Sequence, residues 1–315
     1  MNDTSKKLLP GILAILLVLL AALSFKESLA DKMVNTQWTA IQVNAKKKIV
    51  FISGGCSHGP MEHEHKAGTM LLADAINKQM PQTLEAIVHY KEWPSDPADF
   101  EDAATIILYV DGGGGHMALK HLDQLQALMK KGVGLVCLHY TVEVPKEKAG
   151  PQFLDWLGGY FETYWSVNPV WEAQFTSLPD HPITQGVKPF TLTDEWYYHM
   201  RFRKNMKGVT PILTAIPPAS TLNRPDGPHE GNPQVRAKKG QPQHVAWATQ
   251  RPDGGRSFGF TGGHYHKNWA DDNFRRLVLN AILWTANVEV PENGFPLLPI
   301  GKEGIQANLE AKPCH

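Results

Sequence analysis

The stretch FISGGCSHGPMEHEH, residues 51–65, leaves an apolar run, passes two glycines and then sets down His58, Glu62, His63, Glu64 and His65. Imidazole and carboxylate are the side chains that hold divalent metals and move protons near neutral pH. The same types recur where other apolar runs end: Asp111 and His116 around DGGGGH, His139 after VGLVCL, Glu195 in DEWYYH, and His264 and His266 in GGHYH. In an extended chain His264 and His266, two apart, face the same side. This set makes His139, Glu195 and His58 the candidates for proton transfer. If a metal is held, His58, His139, His264 and His266 are its candidate ligands. Neutral imidazoles with a carboxylate and no thiolate suit zinc first, then Mn²⁺, Fe²⁺ or Ni²⁺. The same groups can also act as metal-free acids and bases, because the helical His-Glu-x-x-His pattern is missing. Glu62 is placed to cap or orient His58, and His63 and His65 to face solvent just before a helix.

A substrate would be held nearby. The glycines of DGGGGH, among them Gly113 and Gly114, lie between a strand and a helix, where free backbone N–H groups can meet an anion or oxyanion. Asp111 is placed to orient His116 at that turn. No Lys-Ser or Lys-Thr follows, which excludes a nucleotide P-loop. Trp196, Tyr197, His199 and Arg201 follow Glu195 closely and join the candidate binding residues. Trp165, Trp171 and Trp269 are further candidates for a flat platform under a sugar ring, against the commoner role of packing. His229 lies in a long segment between Pro217 and Gln243 that reads as a lid or as a plain loop.

The elements that must bring these groups together are legible as a rhythm. KKIVFISGG, EAIVHYKEW, ATIILYV and VGLVCLHY read as buried strands, with AGTMLLADAINKQM and MALKHLDQLQALMKKG as helices between them. The second half adds extended runs such as VTPILTAI, QHVAWATQ and RSFGFTGGHYH, and a last helix, DDNFRRLVLNAILWTA. The expected class is α/β: a doubly wound, mostly parallel sheet with helices on both faces and extra strands in the second half. Such sheets bind ligands beyond the carboxyl ends of their strands, where His58, Asp111, His116 and His139 would fall.

With 315 residues and a formal net charge of zero, the chain lacks the basic excess of a nucleic-acid partner. Residues 1–30 read as a signal peptide, with two lysines, an apolar run and Ser28-Leu29-Ala30 as cleavage site. The alternative is a membrane anchor over residues 8–25. The first reading makes the protein exported, periplasmic or extracellular. One domain is expected over 47–291, with an irregular tail over 292–315. Three cysteines at wide spacing are no disulfide framework. Cys137 reads as a core residue, and Cys56 as a weak alternative nucleophile.

The ordered segments SGGCSHGPMEHEHKAG, GVGLVCLHYTVE, LGGYFE, HPITQGVKPFTLTDEWYYHMRF, PQHVAWATQRPDGGRSFGFTGGHYHKNW and FRRLVLNAILWTANVEVP resemble the ThuA-like (trehalose utilisation) family of the class I glutamine amidotransferase-like superfamily. The resemblance spans most of residues 48–291 and implies a flavodoxin-like fold and a link to carbohydrate metabolism through keto-sugar intermediates. Glu195 sits in what resembles the family's Asp-Glu-aromatic motif. The superfamily's nucleophilic cysteine has no counterpart here: Cys137 lies inside the apolar run, and Tyr140 is too bulky for a nucleophile turn. The implied partner is a small carbohydrate, acted on by a lyase, hydrolase or isomerase, or else bound without catalysis. Membrane contact is expected only through an uncleaved N-terminal segment, and self-association into a homo-oligomer is allowed.

Overall fold

The computed structural model describes residues 45–312. The signal-peptide and anchor segments lie outside the described residues. Among the described residues no helix is long and apolar enough to cross a membrane.

In chain order the elements are β1 (Lys47–Ser53), α1 (His65–Gln79), β2 (Leu84–Tyr90), β3 (Ala103–Tyr109), α2 (Leu122–Lys130), β4 (Gly134–Leu138), α3 (Lys146–Trp156), β5 (Gly159–Tyr160), β6 (Trp171–Phe175), β7 (Phe190–Asp194), β8 (Arg201–Phe202), β9 (Val209–Ala215), α4 (Pro233–Arg236), β10 (Gln243–Gln250), β11 (Arg256–Phe260), α5 (Asp272–Thr285) and α6 (Lys302–Gln306). Seven strands form one sheet in the order β2-β1-β3-β4-β11-β10-β9. The first five in that order pair in parallel, and β10 is antiparallel to both its neighbours. The leading order 2-1-3-4, with β11 fifth, is that of flavodoxin-like sheets. The hairpin β6–β7 and the pair β5–β8 are the extra antiparallel strands.

Continuous apolar runs give these strands two buried faces, and the period of two divides them. Ile49 and Phe51 of β1, Ile107 of β3 and Val136 of β4 join one core with α1 and α5. Val50 and Ile52, Ile106 and Leu108, and Leu135 and Cys137 join the other core with α2 and α3. Helix α3 was not expected, because Pro151 inside it reads as a breaker. Burial of Ala149, Gly150, Phe153 and Trp156 holds the turn that proline weakens.

Thiol chemistry finds no support here. Cys137 is fully buried, and burial pushes its thiol pKa well up. Cys56 is disulfide-bonded, which corrects its reading as an alternative nucleophile. The tail after β11 and α5 is mostly irregular but carries α6, and its Phe295 is buried in the core.

Candidate metal centre

The carboxyl ends of β1, β3, β4 and β11 open on one rim of the sheet, at the point where the strand order reverses. Each sends a group to the same place. His139 follows β4 directly, in left-handed backbone with φ 54° and no exposed surface. His63 comes from the loop after β1, and His264 from the turn after β11. Glu195 is the residue after β7, so the antiparallel hairpin lays its carboxylate over the rim.

His63 Nε2 lies 3.0 Å from His139 Nε2 and 3.0 Å from His264 Nδ1. Glu195 Oε2 lies 3.5 Å from His139 Nε2 and 3.3 Å from His264 Nδ1. Ligands bonded to a tetrahedral zinc at 2.0–2.1 Å stand about 3.3 Å from one another, close to these four contacts, and all four atoms lie within 4.8 Å of one another.

The outer nitrogens decide what the inner ones carry. His139 Nδ1 donates to the Thr261 carbonyl at 2.8 Å, so its Nε2 presents a lone pair. His63 Nδ1 donates to Asp111 Oδ1 at 3.0 Å, so its Nε2 does the same. His264 Nε2 faces Glu62 Oε1 at 3.6 Å. Charging His63 would relieve the lone-pair repulsion, but burial and the adjacent imidazoles push its pKa far down. Imidazoles oriented from behind by carbonyl and carboxylate are how proteins prepare histidines for a cation. Burial alone would raise Glu195, but its contacts with His139 and His264 outweigh it and hold the carboxyl at about 2. Asn168 Nδ2 donates to Glu195 Oε1 at 3.0 Å, leaving Oε2 for the centre.

Asp194 ties the site together. Its Oδ1 accepts from the backbone N–H of Glu195 at 2.7 Å and of His264 at 3.1 Å. Its Oδ2 accepts from Gly263 N and Asn268 Nδ2, both at 2.9 Å. One buried carboxylate thus sets the backbone under two candidate ligands. The Asp-Glu dipeptide in DEWYYH was the signal for it.

The candidates from the sequence divide on this geometry. His139, Glu195 and His264 come together as expected. His58 does not join them as a ligand: its ring stacks on His63, with centroids 3.6 Å apart at 26°, and its Nδ1 meets Ser57 Oγ. A metal lies in the plane of each imidazole that holds it, and stacked rings do not share one. His63 takes the place expected of His58, and both His63 and His65 are buried rather than solvent-facing. Glu62 backs His264, not His58, and Asp111 backs His63, not His116.

His266 is corrected as a ligand. The chain turns after β11 instead of continuing extended, and His266 Nε2 bonds the Ile305 carbonyl at 2.9 Å. His116 is a structural residue: it bonds the Thr141 carbonyl, and burial pushes its pKa down to about 4. Trp196 has no exposed surface, Trp171 and Trp269 are buried, and none can be a sugar platform. His199 and Arg201 both stack on Trp165, and Arg201 is paired with Glu162. Gly113 N–H is committed to the Glu143 carbonyl, while Gly114 stands exposed. Tyr197 stays at the site, its hydroxyl 3.2 Å from His139 Nε2.

A cleft of about 390 Å³ opens beside Glu195, lined also by Asn168, Ser220, Thr221 and Arg224. A larger groove of about 480 Å³ between α1 and residues 297–308 shares no residue with the cluster, and chemistry places the site at the smaller cleft. The long 217–243 segment is pinned over this region by Pro228 O to Tyr164 N and His229 O to Asn168 N. It brings His229 Nε2 to Glu143, 2.8 and 3.0 Å from the two oxygens.

That contact with Glu143 raises the His229 pKa above the ordinary imidazole value, against burial, with Glu195 adding and Arg224 opposing. The stability the pair contributes is therefore full below the ordinary value and is lost as pH rises through the raised one. An NMR titration should place the His229 midpoint above the other surface imidazoles, and Glu143→Gln should bring it down. A midpoint that ignores Glu143→Gln would refute the pairing.

A family model described as "ThuA: Trehalose utilisation" matches residues 62–285. Among solved structures, a ThuA-like protein from Bacteroides uniformis superposes with TM-score 0.53 and 18% identity, covering 76% of this chain and 91% of that chain. A ThuA-like protein from Parabacteroides merdae gives TM-score 0.52 and 15% identity, over 78% and 92%. No curated protein matches the chain.

Proposed function

The chain belongs to the ThuA family of trehalose utilisation, and from that premise we propose that it is an exported, metal-dependent enzyme acting on a keto-sugar or keto-glycoside. One observation carries the reading: three imidazole nitrogens and a carboxylate oxygen, from four separate segments, converge within 4.8 Å. Against burial, contact with Glu195 raises the His264 pKa, so an ion would displace the proton His264 Nδ1 shares with its neighbours. His63, His139, His264 and Glu195 would hold the ion, and the donor set suits zinc. A bound divalent ion polarises a sugar carbonyl and makes the neighbouring C–H more acidic.

The chain's own residues divide the rest. His139 and Glu195, expected from the sequence as proton carriers, would be committed to the ion. His58 stands at the mouth beside His63, and its loss of solvent against that ring lowers its pKa in spite of Asp111 nearby, which favours the unprotonated base at neutral pH. It would take the proton next to the ketone. Burial keeps the Tyr197 hydroxyl protonated, so it would serve as a hydrogen-bond donor to a substrate oxygen beside His139. Asn168 and Arg224 present amide and guanidinium groups to sugar hydroxyls in the cleft. Lyase, hydrolase and isomerase chemistry on a keto-sugar can all begin with this proton removal. Export is supported by the pattern of residues 1–30 and by the bridged Cys56, since disulfides persist in oxidising compartments.

Elemental analysis of the mature protein should find about one equivalent of zinc, by the ligand count above. Incubation with a keto-disaccharide should give turnover that a chelator stops and added zinc restores. Sugar binding without turnover or metal would replace the enzyme by a carbohydrate-binding protein.

A further inference from the structure

The loop that carries His58 and His63 holds an improbable shape. His58, Met61 and His63 all have left-handed backbone, with φ of 60°, 66° and 43°. None is glycine, so each resists that conformation and something must hold the loop. Inside it the carbonyls of Ser57, Gly59 and Glu62 point to one spot, and the ammonium of Lys312 fills it. Lys312 Nζ donates to Ser57 O at 2.7 Å, to Gly59 O at 2.9 Å and to Glu62 O. Three N–H groups meet three carbonyls, which is all a lysine can donate. Glu64 Oε1 balances the charge at 3.4 Å, and both side chains are all but sealed from solvent, at 1% and 2% exposed.

We propose that this ring of carbonyls is a built monovalent-cation site, occupied by the tethered ammonium of Lys312, and that Lys312 is the positioning residue for the metal-binding loop. Carbonyl rings of this kind replace the hydration shell of K⁺ in other proteins, and an ammonium answers the same oxygens. The tail that delivers Lys312 is held at its neighbours: Glu310 N donates to Glu64 Oε2 at 3.3 Å, and the Glu310 carboxylate pairs with Lys91 at 3.2 Å. The Lys312 side chain reaches none of the four candidate ligands. It acts through the backbone of Ser57, Gly59 and Glu62, the last of which precedes His63. The link to metal affinity rests on the metal reading above, whereas the link to loop order does not.

The test uses the full mature chain with Lys312→Ala, read by amide exchange of residues 57–64 and by zinc affinity. In a tetramethylammonium buffer, protection of that loop should fall about 10-fold and zinc affinity about 10- to 100-fold, the range for loss of ligand support. Protection in β1, β3 and β4 should be unchanged. Adding NH₄⁺ or K⁺ should restore part of both losses in Lys312→Ala and do nothing to the wild type. Lys312→Arg, whose planar fork does not fit a three-carbonyl ring, should behave like the alanine variant. Where Lys312→Ala does not fold, Lys312→Gln takes its place. Unchanged loop exchange in the variant would overturn the proposal, as would a loss that no small cation repairs. Absence of zinc binding in the wild type would remove the metal reading and leave the exchange result to decide the cage.

Discussion

His63→Ala is expected to lower zinc affinity about 100- to 1,000-fold, the largest effect of any single substitution at this site. Structural zinc sites with four ligands contribute roughly 10–16 kcal/mol, so one ligand accounts for about 2.5–4 kcal/mol. His63 also stands nearest the middle, 3.0 Å from both other imidazoles. Removing it leaves two nitrogens and a carboxylate, a three-ligand set that holds zinc more weakly. The comparison that gives the result meaning is with its neighbours. His266→Ala should leave affinity intact, since its ring is turned to the Ile305 carbonyl. His58→Ala should spare affinity and remove turnover. Asp111→Asn, which takes away the acceptor behind His63, should cost about 10- to 100-fold. Calorimetric titration of the four variants orders them, and an equal loss in His63→Ala and His266→Ala would discredit the assignment of ligands.

Asp194→Asn should cost both stability and affinity. The carboxylate accepts four hydrogen bonds while fully buried. An amide keeps one oxygen and turns an NH₂ toward donors that can no longer be satisfied. Two lost bonds to buried groups, at about 1–2 kcal/mol each, amount to about 2–4 kcal/mol. For a chain of this size the melting temperature should fall by about 3–7 °C. The two donors left without a partner are the N–H groups of Glu195 and His264 if the amide replaces Oδ1, or Gly263 N and Asn268 Nδ2 if it replaces Oδ2, so the backbone under one or both ligands shifts. Zinc affinity should therefore drop by a further 10- to 100-fold or so. A stability loss with unchanged affinity would make Asp194 a packing residue with no part in the centre.

The architecture was legible because it rests on local pattern. Buried parallel strands are continuous apolar runs, and the glycines and polar groups after β1, β3 and β4 mark their ends. Helix α5 shows its Asp271 cap, whose side chain accepts from Phe274 N, in the sequence itself. Where local pattern and tertiary packing disagreed, packing won. Pro151 hides α3, and the expectation of an extended GGHYH put His264 and His266 on one side although the chain turns between them.

The residues of the site were found by type and by position at strand ends, and that much the amino-acid order determines: β-strands in a doubly wound sheet all deliver their carboxyl ends to one rim. It could place His139 and His264 there without coordinates, whereas Glu195 reaches the rim from the separate β6–β7 hairpin. Which histidine of SHGPMEHEH turns inward was decided only in three dimensions. His58 and His63 differ by five positions in a loop with no period, and their orientations depend on left-handed backbone that no propensity favours. That backbone is held by groups far away in the chain: Lys312 on the carbonyls, Asp111 behind the ring, and the His264 carbonyl on His63 N. Strand ends follow from short-range hydrophobic pattern, whereas the direction of a side chain in an irregular loop follows from long-range hydrogen bonds, which exist only once the chain has folded.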